Sequence, residues 1–112
     1  MAEARFRALD ATNPIEMFPG VVRRTLVSGD RQTLVRIDLA HDAEVPEHTH
    51  PHEQSGTVVT GRIHLRVGAE ERDLDEGASY LIPSDVPHFV RALAPTTLVE
   101  VFAPVREEFA KD

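Results

Sequence analysis

The chain has 112 residues, no cysteine, and 19 acidic against 12 basic residues, which gives a net charge of −7. A single domain of this length can bury an adequate core without disulfides, and the lack of cysteine excludes thiolate metal sites and a cysteine nucleophile. The acidic balance and scattered arginines argue against a nucleic-acid partner, and the lack of a long apolar run predicts a cytoplasmic protein without a signal peptide or membrane contact.

Short runs rich in β-branched residues recur at strand length between Gly, Pro and Asp breaks. Residues 1–20 are a weakly patterned leader with one candidate strand at residues 4–9. Seven further strands are predicted at residues 21–28, 32–40, 57–60, 62–68, 79–83, 88–93 and 96–103. The charged stretch GAEERD at residues 68–73 is interpreted as a break between strands, and residues 105–112 as a short terminal helix.

This order of elements predicts an all-β fold. We expect one domain over residues 1–112, with its core at about residues 20–104. At this length, a small closed barrel or a two-sheet jelly roll protects strand edges best.

The stretch HTHPHEQ at residues 48–54 gathers nitrogen donors in one place. In a strand, His48 and His50 would face the same side, and neutral imidazoles are good ligands for divalent transition metals. Gln54 can add an amide oxygen after a bulge at Pro51, and His88 can complete the set from a neighbouring strand. Solvated histidines on an exposed edge are the alternative, but the pair together with a distant fourth ligand favours a metal site.

Two neighbouring residues compete with this assignment. Glu53 carries a stronger oxygen donor than Gln54, but its side chain would leave the opposite face of a regular strand, so Gln54 is preferred. His52 is interpreted as a pocket-lining or supporting residue because four ligands leave it little room. His64 is assigned to the polar side of its strand, and His41 to a loop.

The last predicted strand carries an acidic residue among apolar ones. Leu98, Glu100 and Phe102 share one face, which predicts a buried carboxylate that holds a proton, pairs with a cation or transfers protons. Arg106 follows where its guanidinium can reach the barrel mouth and bind a carboxylate with two hydrogen bonds. The alternative is that Glu100 points outward and that Arg106 is solvated.

Four neutral ligands would leave a divalent ion with about two positive charges. Such a site favours an anion, so we expect a small carboxylate or another oxygen-chelating molecule as substrate. The ion would serve as a Lewis acid or a template.

Two motifs resemble those of the cupins. Two histidines one residue apart, a third ligand and a closing glycine match the first cupin motif at His48, His50, Gln54 and Gly61. The glycine, proline and histidine of the second are matched by the residues Gly77, Pro83 and His88. The chain departs from the motifs at three turn or support positions, which carry Asp42, Asp85 and Ala92.

The cupin resemblance covers residues 20–104 and implies an RmlC-like jelly-roll β-barrel with a short N-terminal arm and a short C-terminal tail. It also implies one divalent transition metal, which can be Ni, Mn, Fe, Zn, Co or Cu. Small cupins of this type are often homodimers, so we expect a homodimer in which the N-terminal segment can exchange.

HTHPHEQ together with EVFAPVREEF is most similar to the pectin-degradation cupins of the KdgF family, which assist ring opening of 4,5-unsaturated monouronates. That resemblance implies Glu100 and Arg106 as catalytic residues and Phe102 and His52 as substrate contacts. The family usually has aspartate at position 100, where this chain has the longer glutamate. A cupin dioxygenase and a non-catalytic metal-dependent binding module are the alternative functions, and a metal-free structural barrel is the last.

Overall fold

The computed structural model describes residues 3–112, which form ten strands and two short helices. The strands β1 to β10 are, in chain order, Ile15–Phe18, Val21–Ser28, Thr33–Leu39, Glu44–His48, Glu53–Thr60, Arg62–Val67, Glu70–Asp75, Ser79–Ile82, His88–Ala92 and Thr96–Ala103. Leu9–Ala11 is a 3₁₀ helix and Glu107–Ala110 is helix α1. In this part of the chain, neither helix has the length and apolar character needed to cross a membrane.

The strands form two antiparallel sheets. The larger sheet has the order β1-β2-β3-β10-β5-β8 and the smaller one the order β4-β9-β6-β7. Alternate side chains from both sheets meet in one apolar core, whose most deeply buried members include Val21, Val35, Val58, Ile63 and Ile82. The predicted all-β fold is confirmed, in its two-sheet jelly-roll form.

The seven strands predicted after residue 20 all form, with shifts at their ends, but the prediction was incomplete. It missed β1, β4, β7 and the first half of β5, and the candidate strand at residues 4–9 is wrong because that segment has no strand pairing. The missed strands lie at or next to sheet edges. Pro46 lies within β4, which an edge strand tolerates because proline has no backbone N–H to donate.

The composition of β7 explains why part of its sequence was interpreted as a break between strands. Five of its six residues are charged, and only Leu74 turns toward the core. Three of its carboxylates, Glu71, Asp73 and Asp75, pair with side chains on β6. His64 Nδ1 lies 2.7 Å from Asp73 Oδ1, and Arg62 Nε lies 2.8 Å from Asp75 Oδ1. Charged side chains of this kind also discourage pairing of an open edge with another chain.

The two aspartates that replace motif glycines occupy the backbone conformation that glycine favours. Asp42 has φ of 67° and Asp85 has φ of 64°, while Gly61 and Gly77 have φ of 95° and 89°. Aspartate adopts this left-handed region more readily than most residues. The departures from the motif therefore keep the turns that precede His48 and His88.

The pairing of β6 with β7 predicts an unusual titration of His64. Hydrogen bonds that His64 donates to Asp73 and Glu71 raise the pKa of His64 above 6.5. Because the folded-state pKa is raised, this pairing stabilises the fold fully below pH 6.5 and the contribution is lost as the pH rises through the folded value. We expect NMR titration to show the raised pKa and Asp73→Asn to lower it.

Asp75→Asn is the matched control, because Asp75 bonds Arg62 and not His64. An unchanged pKa of His64 in Asp73→Asn would contradict the pairing of His64 on β6 with Asp73 on β7.

Candidate metal centre

Strand pairing brings the first and last predicted ligands together. His48 ends β4, His88 begins β9, and the two residues are direct partners in the antiparallel ladder. His50 lies in the connection that follows β4, not in the strand as predicted, because the chain turns after His48 to enter β5. One ring nitrogen from each histidine lies within 4.8 Å of the others, so the three side chains can hold a metal ion.

Each of the three rings is fixed by a backbone carbonyl. His48 Nδ1 lies 2.8 Å from the carbonyl oxygen of Pro46, and His88 Nδ1 lies 2.9 Å from that of Val86. His50 Nδ1 makes the corresponding contact, at 3.0 Å, with the carbonyl oxygen of His52. A carbonyl oxygen only accepts, so each Nδ1 carries the proton and each neutral Nε2 keeps its lone pair. This is the tautomer that a metal-binding histidine needs.

Burial favours the neutral form of two of these rings, His50 and His88. Burial, assisted by the charge of Arg106, lowers the pKa of His50 below 6.5. Burial also lowers the pKa of His88, to about 4. His88 Nε2 is buried and has no hydrogen-bond partner among the described residues. A buried acceptor without a partner is rare in folded proteins, and a metal ion at this point would satisfy it.

Gln54 places an amide oxygen beside the three histidines. Its side chain is buried, and Oε1 lies 3.0 Å from His50 Nε2. Both atoms are acceptors when His50 is neutral with its proton on Nδ1, so they cannot bond each other. They can bind one cation between them. Glu53 is exposed, which agrees with the choice of Gln54 over its neighbour. The residues present therefore fit a divalent transition metal.

Glu100 lies directly behind Gln54. It is buried on β10, as the alternation of that strand predicts, and its Oε2 accepts from Gln54 Nε2 at 2.7 Å. The hydroxyl of Tyr80 donates to the same oxygen at 2.6 Å. Burial raises the pKa of Glu100, while the two hydrogen bonds and Arg106 act in the opposite direction.

Tyr80 was missed by the sequence reasoning. The only feature of the sequence that distinguishes it is that it is the single tyrosine of the chain. It lies in a predicted strand beside apolar residues. Burial and the nearby Glu100 raise its pKa well above 10, so the hydroxyl keeps its proton and remains a donor.

Arg106 and Phe102 lie on one side of the site. The Arg106 guanidinium lies 4.8 Å from the ring centre of Phe102 and 4.0 Å from that of Phe109. Its Nε donates to Glu108 at 2.8 Å. Phe102 is buried edge-on against His50, with ring centres 5.6 Å apart.

A cavity of about 50 Å³ joins these groups. It is lined by His48, His88, Gln54, Glu100, Phe102 and Arg106, with Tyr80 and apolar core side chains. The His52 ring packs 5.5 Å from His50, beside the cavity lining, and its carbonyl supports His50. Its contact with a substrate stays a prediction.

The sequence and fold resemble known proteins. Residues 35–102 match the cupin domain profile, Cupin_2. An RmlC-like cupin from Shewanella frigidimarina is 28% identical, with a TM-score of 0.89 and 96% of each chain covered. KdgF from a Halomonas species is 24% identical, with a TM-score of 0.88 and coverage of 95% of this chain and 98% of that one. The second similarity shows a shared fold. No curated protein sequence matches this chain.

His88 provides a direct test of the centre. We expect His88→Ala to lose most of the metal that the wild type retains after loading with a divalent transition ion, because the site loses a nitrogen ligand. Metal content measured by mass spectrometry would show this. His41→Ala is the matched control, since His41 is exposed and away from the cluster. Equal metal content in His88→Ala and wild type would remove His88 from the ligand set.

Proposed function

The chain belongs to the cupin family, and on that premise we propose that it is a metal-dependent enzyme that opens 4,5-unsaturated monouronates to their linear keto form. The observation that carries the proposal is that Glu100 and Arg106 line the same cavity as His48 and His88. An acid–base group, a cationic group and a metal-binding cluster are thereby within reach of one small molecule.

The metal would be held by His48, His50, His88 and Gln54. All four are uncharged, so a bound divalent ion keeps about two positive charges. When bound, the ion supplies Lewis-acid polarisation of a substrate oxygen. A site of this charge favours an anion, which agrees with a sugar acid.

Arg106 is the group that we assign to the substrate carboxylate. Its Nε is occupied by Glu108, but its Nη groups make no hydrogen bond within residues 3–112 and remain available. The ring faces of Phe102 and Phe109 hold the guanidinium plane in place through cation–π contacts. A guanidinium held in this way binds a carboxylate with two parallel hydrogen bonds.

Glu100 is the group that we assign to proton transfer. Its carboxylate takes the proton of the C1 hydroxyl as the bond between C1 and the ring oxygen breaks. The bond electrons pass to the ring oxygen, which leaves an aldehyde at C1 and an enolate across the ring oxygen, C5 and C4. Glu100 then returns the proton to C4, and a ketone forms at C5. The product is an isomer of the substrate, so the reaction needs no co-reactant.

The sequence of the last strand supports this assignment. Glu100, Phe102 and Arg106 have the spacing of the pectin-degradation cupins that the chain resembles. Two donors hold Glu100 Oε2, and Oε1 receives no hydrogen bond from the described residues. The free oxygen is the one that we expect to exchange the proton.

Loss of ultraviolet absorbance from a 4,5-unsaturated monouronate tests the proposal, because the conversion removes the conjugated C4–C5 double bond. We expect metal-loaded protein to accelerate the loss and chelated protein not to. Uronate binding without faster loss would contradict an enzymatic role and favour a binding module. Oxygen consumption with the iron-loaded protein would instead favour a dioxygenase.

Glu100→Gln tests the proton-transfer role in the same assay. At a metal concentration that saturates the variant, we expect kcat to fall by about 100-fold or more, because the amide cannot accept the proton. Glu107→Gln is the matched control, since Glu107 is an exposed carboxylate on the neighbouring helix α1 and makes no side-chain hydrogen bond or ion pair with the described residues. Wild-type turnover by metal-saturated Glu100→Gln would exclude the role.

We further propose that the partner of the chain is a second copy of itself. Arg5 and Arg7 bond the carbonyl oxygens of Ser28 and Thr25 on β2, so the N-terminal arm is held along the larger sheet. Between them, the ring of Phe6 is 93% exposed. The arm and the outer sheet face border a groove lined by Phe6 itself, by Leu9, Leu26, Val27, Leu34 and Val99, and by the cationic side chains of Arg5, Arg7 and Arg36. In a twofold dimer each groove would receive the partner's Phe6, which makes the contact self-complementary.

Sedimentation equilibrium at micromolar concentration tests this pairing. We expect a dimer for the wild type and a monomer for Phe6→Asp, because the substitution removes the apolar ring whose burial would drive the contact. Phe6→Leu is the control and should remain dimeric. A monomeric wild type, or a dimeric Phe6→Asp, would contradict the proposed contact.

A further inference from the structure

We propose that Glu100 and Tyr80 determine which end of the Gln54 amide faces the three histidines, and so make Gln54 an oxygen ligand. The inference rests on the metal centre proposed above and not on the uronate reaction. It assigns Tyr80 a role as a positioning residue.

The two ends of an amide differ in what they can bind. The oxygen of Gln54 can bind a cation, whereas its NH₂ group carries two protons and cannot. The amide lies between His50 and Glu100, with Nε2 2.7 Å from Glu100 Oε2 and Oε1 3.0 Å from His50 Nε2. If the amide group rotated by 180°, its oxygen would lie at hydrogen-bond distance from the Glu100 carboxylate oxygen, and two acceptors would repel each other. Glu100 therefore selects the orientation in which Oε1 points toward the histidines.

Glu100 can select this orientation only if its own carboxylate is fixed. The hydroxyl of Tyr80 donates to Oε2 at 2.6 Å and supplies the second bond to that atom. Gln54, Gly56 and Glu100 lie on neighbouring β5 and β10, and Tyr80 pairs with Gly56 from β8 on the other side of β5. Three adjacent strands of one sheet thus carry the chain of contacts from Tyr80 through Glu100 to Gln54.

The absence of a side chain at Gly56 permits this arrangement. A Cβ atom built there would lie 2.5 Å from Cζ and Oη of Tyr80. The tyrosine ring therefore crosses β5 at the one place where no side chain obstructs it. The hydroxyl reaches Glu100 by this route.

A double-mutant cycle can distinguish an effect through the orientation of Gln54 from a direct effect of the Glu100 charge on metal affinity. Co²⁺ affinity would be measured by isothermal titration calorimetry for wild type, Tyr80→Phe, Glu100→Gln, Gln54→Ala and the two double variants that combine Gln54→Ala with each of the others. Glu108→Gln controls for the loss of one nearby carboxylate that does not contact Gln54.

We expect Glu100→Gln to weaken Co²⁺ binding by about 10- to 100-fold and Tyr80→Phe by a smaller factor, as for other groups that orient metal ligands. In the Gln54→Ala background, the same substitutions should change the affinity by less than about 3-fold, because the residue through which they act is gone. The Co²⁺ absorption bands of Glu100→Gln should shift toward those of Gln54→Ala.

Equal losses of affinity in both backgrounds would overturn the inference, since Glu100 would then act through its charge alone. So would unchanged affinity in both Tyr80→Phe and Glu100→Gln. Tyr80→Phe keeps the ring and its packing, and circular dichroism would verify the fold of each variant. A wild type that binds no Co²⁺ would overturn the metal centre together with this inference, whereas a wild type that binds Co²⁺ with additive effects would overturn the inference alone.

Discussion

The buried carboxylate of Glu100 is the constraint on which the site depends. An ionised carboxylate without partners in a protein interior costs several kcal/mol, so its neighbours must supply hydrogen bonds. Gln54 and Tyr80 supply them from the two strands next in the sheet. Once Gln54 donates its NH₂ group to Glu100, its oxygen points away, toward His50. The carboxylate that we assign to proton transfer and the proposed metal ligand Gln54 are therefore parts of one hydrogen-bonded network.

Charged side chains are distributed unevenly between the cavity and the surface of this acidic protein. The chain carries a net charge of −7, yet among residues 3–112 the cavity is lined by only one carboxylate, Glu100, which is accompanied by the cation Arg106. The excess of acidic side chains lies on the outside, for example on β7. A bound divalent ion would make the cavity cationic, so an anionic substrate would enter a site whose charge is opposite to that of the surface.

The sequence alone predicts most of the fold, because seven strands show their alternation or β-branched character plainly. It does not predict β7, three of whose carboxylates pair with side chains of β6, or β4, whose pattern is interrupted by Pro46. The spacing of His48, His50 and His88 in the sequence identifies them as candidate ligands, but it does not predict that His50 lies outside β4. The contact of Tyr80 with Glu100 could not be predicted because it crosses β5, where Gly56 leaves room for the ring.

A crystal structure of the metal-loaded protein, with diffraction recorded at the absorption edge of the metal, tests the central claim most directly. The claim predicts one anomalous peak at coordination distance from Nε2 of His48, His50 and His88 and from Oε1 of Gln54. It also predicts that Gln54 Nε2 still donates to Glu100. A peak bonded to Glu53 in place of Gln54 would contradict the claim, and so would a metal-loaded crystal with no peak at the three histidines.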